Sequence, residues 1–362
     1  MNATVRYVDF KKYNRVIVIS DIHGDKDGFK GVLDQVGFSA QDALVIVGDI
    51  LEKGKYSLEL LREVMVLYER GNLYIVKGNN DTIFEEWYGE QVSLDDVVWY
   101  VNNKENTILK DMARELDHPC ETKDDIASLK DLICREFCKE LQFLEQLPHI
   151  IDCEFATFVH AGLAPGNPEE QDAEFCLTTT EFASQMHVFE KNVIVGHWPS
   201  SNYSDMIIEA NVYRNPKTNV ISMDGGNSMK RWRQINYLIL DAFGRELECG
   251  YYDSLPKVRI LEDQPENKDY YSLIFPHTEV EIKKREDDKV ICYVPWLGYE
   301  ITLDANRIYE YKRKTYCSDM TTYDLPVKSG EVVSFCGMTV EGAQMKKNGI
   351  VGNYHGKYVK VD

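Results

Sequence analysis

The chain has 362 residues, 44% of them hydrophobic and 28% charged. That length suits two or three domains, and the composition is that of a folded chain rather than a disordered one. Sixty acidic against 41 basic residues leave a net charge of −19, which repels phosphate backbones and disfavours bulk binding of nucleic acid.

Met1 to Phe10 has no apolar core of signal-peptide length, and no later stretch approaches the ~20 apolar residues of a spanning helix. A cytoplasmic location away from membranes is therefore expected. From Arg15 onward, β-branched runs alternate with amphipathic stretches. Val16–Ser20, Ala43–Gly48 and Leu73–Gly78 read as buried strands whose C-terminal ends open into loops. Phe29, Val32, Leu33 and Val36 lie at helical spacing between the first two, and Gly37 follows as a helix terminator. Leu58, Leu61, Met65 and Tyr68 repeat the pattern before Gly71. Such alternation predicts an α/β core.

Residues 82–150 read as a helical insertion. A capping box at Thr122–Asp125 opens a long helix with Ile126, Leu129, Ile133, Phe137, Leu141 and Leu144 on its apolar face, ended by Pro148. Strands resume at Ala156–His160, Val193–His197, Val220–Met223 and Tyr237–Leu240. Leu261–Asp269 reads as a linker, and the alternation and glycine turns beyond it predict a small β domain. Residues 1–260 are thus expected to form one domain and 270–362 a second, weakly resembling SH3-like modules. The nine cysteines are scattered singly without zinc-knuckle or dithiol spacing, and read as small buried hydrophobes in a reducing compartment.

Polar residues gather where strands end. Ser20-Asp-Ile-His-Gly24, Gly48-Asp49, Gly78-Asn-Asn-Asp81, His160-Ala-Gly162 and Gly196-His197 each follow a strand. In α/β sheets, ligands collect beyond the carboxyl ends of strands, so these loops are expected to converge. Carboxylates, an amide and imidazoles together suit first-row divalent metals better than calcium.

The ordered set Asp-x-His-Gly, Gly-Asp, Gly-Asn, His-Ala-Gly and Gly-His resembles the calcineurin-like metallophosphoesterases, in particular their phosphoprotein phosphatase branch with its bacterial Ser/Thr phosphatases and diadenosine tetraphosphatases. The resemblance covers about residues 15–245, including Ile221-Ser-Met-Asp-Gly-Gly226. It implies a two-sheet sandwich flanked by helices and two divalent ions, manganese first, with iron or zinc as alternatives. Asp21 and His23 would hold one ion, Asp49 would bridge, and Asn79, His160 and His197 would complete the second site. A metal-bridging hydroxide would then attack phosphorus in line.

The phosphate-handling positions depart from the family pattern. Glu52 and Lys53 stand where an Asp and an Arg are expected, and Asn80 replaces the histidine that assists leaving-group departure. Lys53 keeps the charge without the bidentate grip of a guanidinium. Asn80 cannot deliver a proton at neutral pH. Asp49, Asn80, Asp81, Lys53 and Glu52 form the expected catalytic set. Arg214, Arg231 and Arg233 read first as surface charge, and Trp87, Tyr88 and Trp198 as packing residues or cleft walls. The expected function is a metal-dependent phosphatase or phosphoesterase acting on a phosphorylated small molecule, a nucleotide or a phosphoprotein. Its preference should lie away from phosphoserine. The alternative is a catalytically weakened metal-binding module that recognises phosphorylated partners through its C-terminal β domain.

Overall fold

Strands without polar interruption need cover on both faces, and residues 16–19 show how this is achieved. The computed structural model describes residues 1–361. Its first unit comprises Met1–Pro199 and Val212–Ser254. The strands in chain order are β1 (Val5–Tyr7), β2 (Arg15–Ile19), β3 (Ala43–Val47), β4 (Leu73–Val76), β5 (Ile150–Asp152) and β6 (Ala156–Val159). They continue with β7 (Asn192–Val195), β8 (Ile208–Glu209), β9 (Tyr213–Asn215), β10 (Val220–Ser222), β11 (Ile235–Asp241) and β12 (Glu246–Tyr252). One sheet runs β12-β11-β2-β3-β4, and the other runs β1-β5-β6-β7-β10-β9.

Val16 and Val18 of β2 join Val45, Val47 and Val76 in a core shared with Ile151, Phe158, Ile194 and Ile221 of the opposite sheet. The alternate residues Ile17 and Ile19, with Leu44, Ile46 and Ile75, turn the other way onto helices. The strand period of two thus feeds two separate cores, one between sheets and one beneath helices. The expected α/β sandwich flanked by helices is present.

Helix α1 (Lys26–Val36) starts where Asp25 accepts the Gly28 N–H, and ends at Gly37 in the left-handed region (φ 61°). Helix α2 (Ser57–Tyr68) follows β3. The insertion holds α3 (Ile83–Tyr88), α4 (Leu94–Asn103), α5 (Ile108–Glu115), α6 (Lys123–Glu136) and α7 (Cys138–Glu145). Trp87, Val97, Val101, Met112 and Ile133 pack into the same core as α1 and α2, so the insertion is welded to the sheet's outer face. The Thr122–Asp125 capping box is present, but the single long helix is not. Phe137, 1% exposed, leaves helical dihedrals (φ −114°, ψ 27°) and divides it into α6 and α7, although its N–H still donates to Ile133 O at 2.9 Å and its carbonyl still accepts from Leu141 N–H at 3.0 Å.

The second unit comprises Ser200–Asn211 and Leu255–Asp362. Strand β8 pairs with Ile350–Tyr354 at one edge of a six-stranded antiparallel sheet. Lys257–Ile260 lies inside that sheet, between Val332–Thr339 and Tyr358–Lys360. A separate meander, Glu281–Glu286, Lys289–Val294 and Tyr299–Asp304, covers its own small core around Val290, Cys292 and Leu303. The domain limits read from the sequence need correction. Residues 200–211 belong with the second unit, which begins at Leu255 rather than 270. The Leu261–Asp269 segment is no free linker either, since the Gln264 amide donates to Leu325 O at 3.0 Å and Asn353 O at 2.8 Å. Composition alone hid this, because polar residues that satisfy strand-end carbonyls look like linker residues.

Cys153, Cys176, Cys292 and Cys317 are buried, whereas Cys134, Cys138 and Cys249 are exposed, against the expectation of uniform burial. Among the described residues, no helix is long and apolar enough to cross a membrane.

Candidate metal centre

Six strand ends supply the site: β2, β3 and β4 from one sheet, and β6, β7 and β10 from the other. The loop after β2 lies directly against the loop after β3, with Asp21 N–H donating to Gly48 O at 3.2 Å, His23 N–H to Asp49 O at 2.9 Å and Gly24 N–H to Ile50 O at 2.7 Å. To fit, Asp21, His23, Asp49, Glu52, Lys53 and His197 all adopt positive φ, between 51° and 70°. Non-glycine residues seldom do so, and such strain persists where surrounding structure enforces it, often at functional sites. Two glycines permit the close approach. A Cβ at Gly196 would collide with Ser20 Oγ and the Asp21 carboxylate, and one at Gly78 would collide with Asp49.

Two groups of side chains result, Asp21–His23–Asp49 and Asp49–His160–His197, with the ligand atoms of each group within 4.8 Å of one another. Asp49 belongs to both. His23 Nε2 lies 3.9 Å from Asp21 Oδ1 and 3.7 Å from Asp49 Oδ2, and His160 Nε2 lies 3.4 Å from Asp49 Oδ1. The Asn79 carboxamide oxygen sits 3.0 Å from His160 Nε2 and 2.9 Å from His197 Nδ1. His160 Nδ1 faces Val47 O at 2.9 Å and His23 Nδ1 faces Leu51 O at 3.2 Å. Each carbonyl holds the proton on Nδ1 and turns an Nε2 lone pair inward, the arrangement of a metal-ligating imidazole.

Electrostatics tests whether these residues fit divalent cations. Asp21, Asp49, Asp81 and Asp224 are each no more than 1% exposed. Burial, and then the charges of Asp224 and Asp49, pushes Asp21 well above the usual carboxylate range. Burial also raises Asp81 and Asp224. Burial opposes ionisation of Asp49 too, but His160, His23 and Lys53 outweigh it and hold that carboxyl low. Burial, with Lys53 adding to it, lowers His23 to about 3. Burial and neighbouring His160 lower His197 to about 4, so both rings are neutral and able to ligate. One Asp224 carboxylate oxygen is buried without a hydrogen-bond partner. Packed carboxylates, inward lone pairs and an orphaned oxygen are what cations would satisfy. The donor set fits.

The other expected residues divide. Asn80 is turned onto Asp49, its N–H donating to Oδ1 at 2.8 Å and its Nδ2 to Oδ2 at 2.6 Å. The Lys53 ammonium lies 3.0 Å from His23 Nε2 and 3.3 Å from Met229 Sδ, at the mouth of the site. Asp81 accepts the N–H groups of Asp49, Ile50, Leu51 and Gly78 at 2.9 to 3.2 Å. Glu52 accepts from the Tyr100 hydroxyl and, at 2.9 Å, from Ile108 N–H. Asp81 and Glu52 thus meet protein donors where catalytic roles were expected of them. Both carboxylates are spent on protein donors, an arrangement suited to positioning the loop after β3. Arg214 pairs with Glu246 at 2.9 Å, in line with its reading as surface charge. Asp224 and Asn227, whose amide donates to Ile22 O at 2.8 Å, stand beside the ligand groups outside the expected ligand set. Their signal was the small-residue turn after Val220–Ser222.

Residues 14–133 match the calcineurin-like phosphoesterase family. The matched segment spans 120 of the chain's 362 residues. That segment holds Asp21, His23, Asp49 and Asn79, while His160 and His197 lie beyond the match. A bis(5'-nucleosyl)-tetraphosphatase PrpE [asymmetrical] of Bacillus velezensis is 33% identical over 72 residues, 17% of this chain and 29% of the relative. A symmetrical bis(5'-nucleosyl)-tetraphosphatase of Glaesserella parasuis is 40% identical over 65 residues, 18% of this chain and 23% of the relative. The chain thus spans less than a third of the length of these curated relatives. Among solved structures, a metallophosphoesterase from Sphaerobacter thermophilus is 17% identical, with a TM-score of 0.38, over 67% of this chain and 89% of that one.

Proposed function

We propose that this chain is a hydrolase of phosphate esters or anhydrides that works with two divalent cations, manganese first among them. The observation that carries this reading is the sharing of Asp49 between two ligand groups that lie at strand ends of both sheets. Asp21, His23 and Asp49 would hold one ion, and Asp49, Asn79, His160 and His197 the other. Such a pair lowers the pKa of water and neutralises phosphate charge.

The protein's own groups do the rest. Asn80 fixes the Asp49 carboxylate through two hydrogen bonds. The Asp81 carboxylate clamps the backbone that carries Asp49 and Gly78. Lys53 presents its ammonium beside His23, where it can meet an oxygen of the phosphoryl group as a point charge. With an amide at position 80, no imidazole there protonates the departing oxygen, and good leaving groups are favoured. Substrates are phosphorylated small molecules, nucleotides or phosphoproteins, and the two tetraphosphatase relatives support a nucleotide among them. With Mn²⁺, Fe²⁺ or Zn²⁺ supplied, the chain should hydrolyse p-nitrophenyl phosphate, and Asp49→Asn should lower kcat/KM by at least ~10³-fold. Wild-type protein inert with all three metals would instead favour a binding module.

A further inference from the structure

A cavity of about 450 Å³ opens from Asn79 and Asn80 into the helical insertion. We infer that it receives the leaving group, and that it is built for an uncharged or cationic aromatic body and against a further phosphate. The inference rests on the phosphoesterase reading and adds the chemical class of the substrate.

Three observations carry it. The first is position. Asn79 and Asn80 line the cavity and also touch the ligand groups, Asn79 at His160 and His197 and Asn80 at Asp49, so a phosphoryl group held at those groups has the cavity's other walls beside it to receive what its ester oxygen carries. The second is surface. Those walls are largely apolar and include Ile83, Trp87, Val92, Trp99 and Tyr100. Trp87 is 3% exposed, whereas Trp99 is 60% exposed on the same helix whose Val97 and Val101 face the core. An indole left facing a cavity and solvent contributes little to folding and offers a flat face for stacking. The third is charge. The lining includes the carboxylates of Glu86 and Asp96, besides Glu52 whose carboxyl is held by Tyr100 and Ile108, and no lysine or arginine. Lys130 lies over the Trp87 and Tyr88 rings and donates to Trp87 O at 2.9 Å, so the nearby ammonium is engaged by the protein. Polyphosphate entering these walls would meet like charge without a counterion, while a neutral aromatic loses nothing and a cation gains.

The Mn²⁺-loaded chain tests this with phenyl phosphate, 2-naphthyl phosphate and inorganic tripolyphosphate, the two phenols being of similar acidity. The added ring should raise kcat/KM about tenfold through buried apolar area, and tripolyphosphate should be slowest. Trp99→Ala should shrink the naphthyl advantage to about twofold, and Glu86→Lys should raise tripolyphosphate relative to 2-naphthyl phosphate about fivefold. Binding of 2-naphthol to metal-free chain, followed by ligand-observed NMR, should weaken in Trp99→Ala. Hydrolysis with a naphthyl-to-phenyl ratio near one, or with tripolyphosphate fastest, overturns the pocket and leaves the phosphoesterase standing. No hydrolysis of any substrate, with Trp99-dependent naphthol binding, overturns the phosphoesterase and supports the pocket. Failure of both readouts overturns both.

Discussion

Asp49 illustrates how much a single residue can carry. Its oxygens lie within reach of three imidazoles and accept two hydrogen bonds from Asn80, and its own N–H is held by Asp81 at 3.0 Å. Asp81 acts in turn by accepting four buried N–H groups. Asp81→Ala would leave them unpaired, and at ~1 kcal/mol or more each, a loss of roughly 3–5 kcal/mol is expected. Urea titration checks this, and Asp81→Asn, which keeps one acceptor oxygen, should lose less. Asn80 offers a different test. Asn80→His restores a proton donor, and activity on a phosphoserine peptide should rise about tenfold or more relative to p-nitrophenyl phosphate. An unchanged ratio in steady-state assays would show that the limitation with poor leaving groups lies elsewhere.

At the scale of elements, the helical insertion is fastened to the loop after β3 through Glu52. This carboxylate reaches from the turn after β3 to Tyr100 on α4 and to the first N–H of α5. Burial pushes it up to about 7 against the pull of those two donors. A carboxyl whose folded pKa lies above its unfolded value binds more protons when folded. Its contribution is fully present below about 4.5 and is lost as pH rises through about 7. The swing is on the order of 3 kcal/mol. Wild-type stability relative to Glu52→Gln should therefore fall between pH 5 and 8 in metal-free thermal melts, and a flat difference would contradict the burial argument. The insertion itself was legible as helix from its apolar spacing and its Thr122 cap. The break at Phe137 was not, since the seat of its ring is a core assembled from residues far along the chain.

For the whole molecule, the net charge of −19 takes on a local meaning. Four buried carboxylates lie close together in the first unit, and their mutual repulsion is a cost that bound cations would relieve. Cations that bind only the folded chain stabilise it by mass action. Mn²⁺ at about 100 times Kd should add about 2.7 kcal/mol and raise the Tm of the first unit by several degrees. Asp49→Asn should abolish that shift in differential scanning calorimetry, and EDTA should reverse it in wild type.

The local determinants of this fold are readable along the chain. Runs such as Val16–Ser20 and Ala43–Gly48 state that they are buried strands, because only strands covered on both faces tolerate unbroken β-branched sequence. Asp21, His23, Asp49, Asn79, His160 and His197 announce themselves by their place at strand ends, which is a property of order and spacing. What a side chain does on arrival is another matter. Asp81 and Glu52 look catalytic in sequence, but tertiary structure spends both on backbone and tyrosine donors. Asp224 is one letter of the Ile221–Gly226 stretch in sequence, but packing leaves one of its oxygens unpaired. Residues 200–211 lie far from Leu255 along the chain and join its unit through the β8 pairing, the packing of Ile207 on its core and the Ser272 hydroxyl donating to Met206 O. Periodicity and composition report on neighbours within a turn or a strand. The partner of a buried polar atom is set by residues tens to hundreds of positions away, and only the folded chain brings them together.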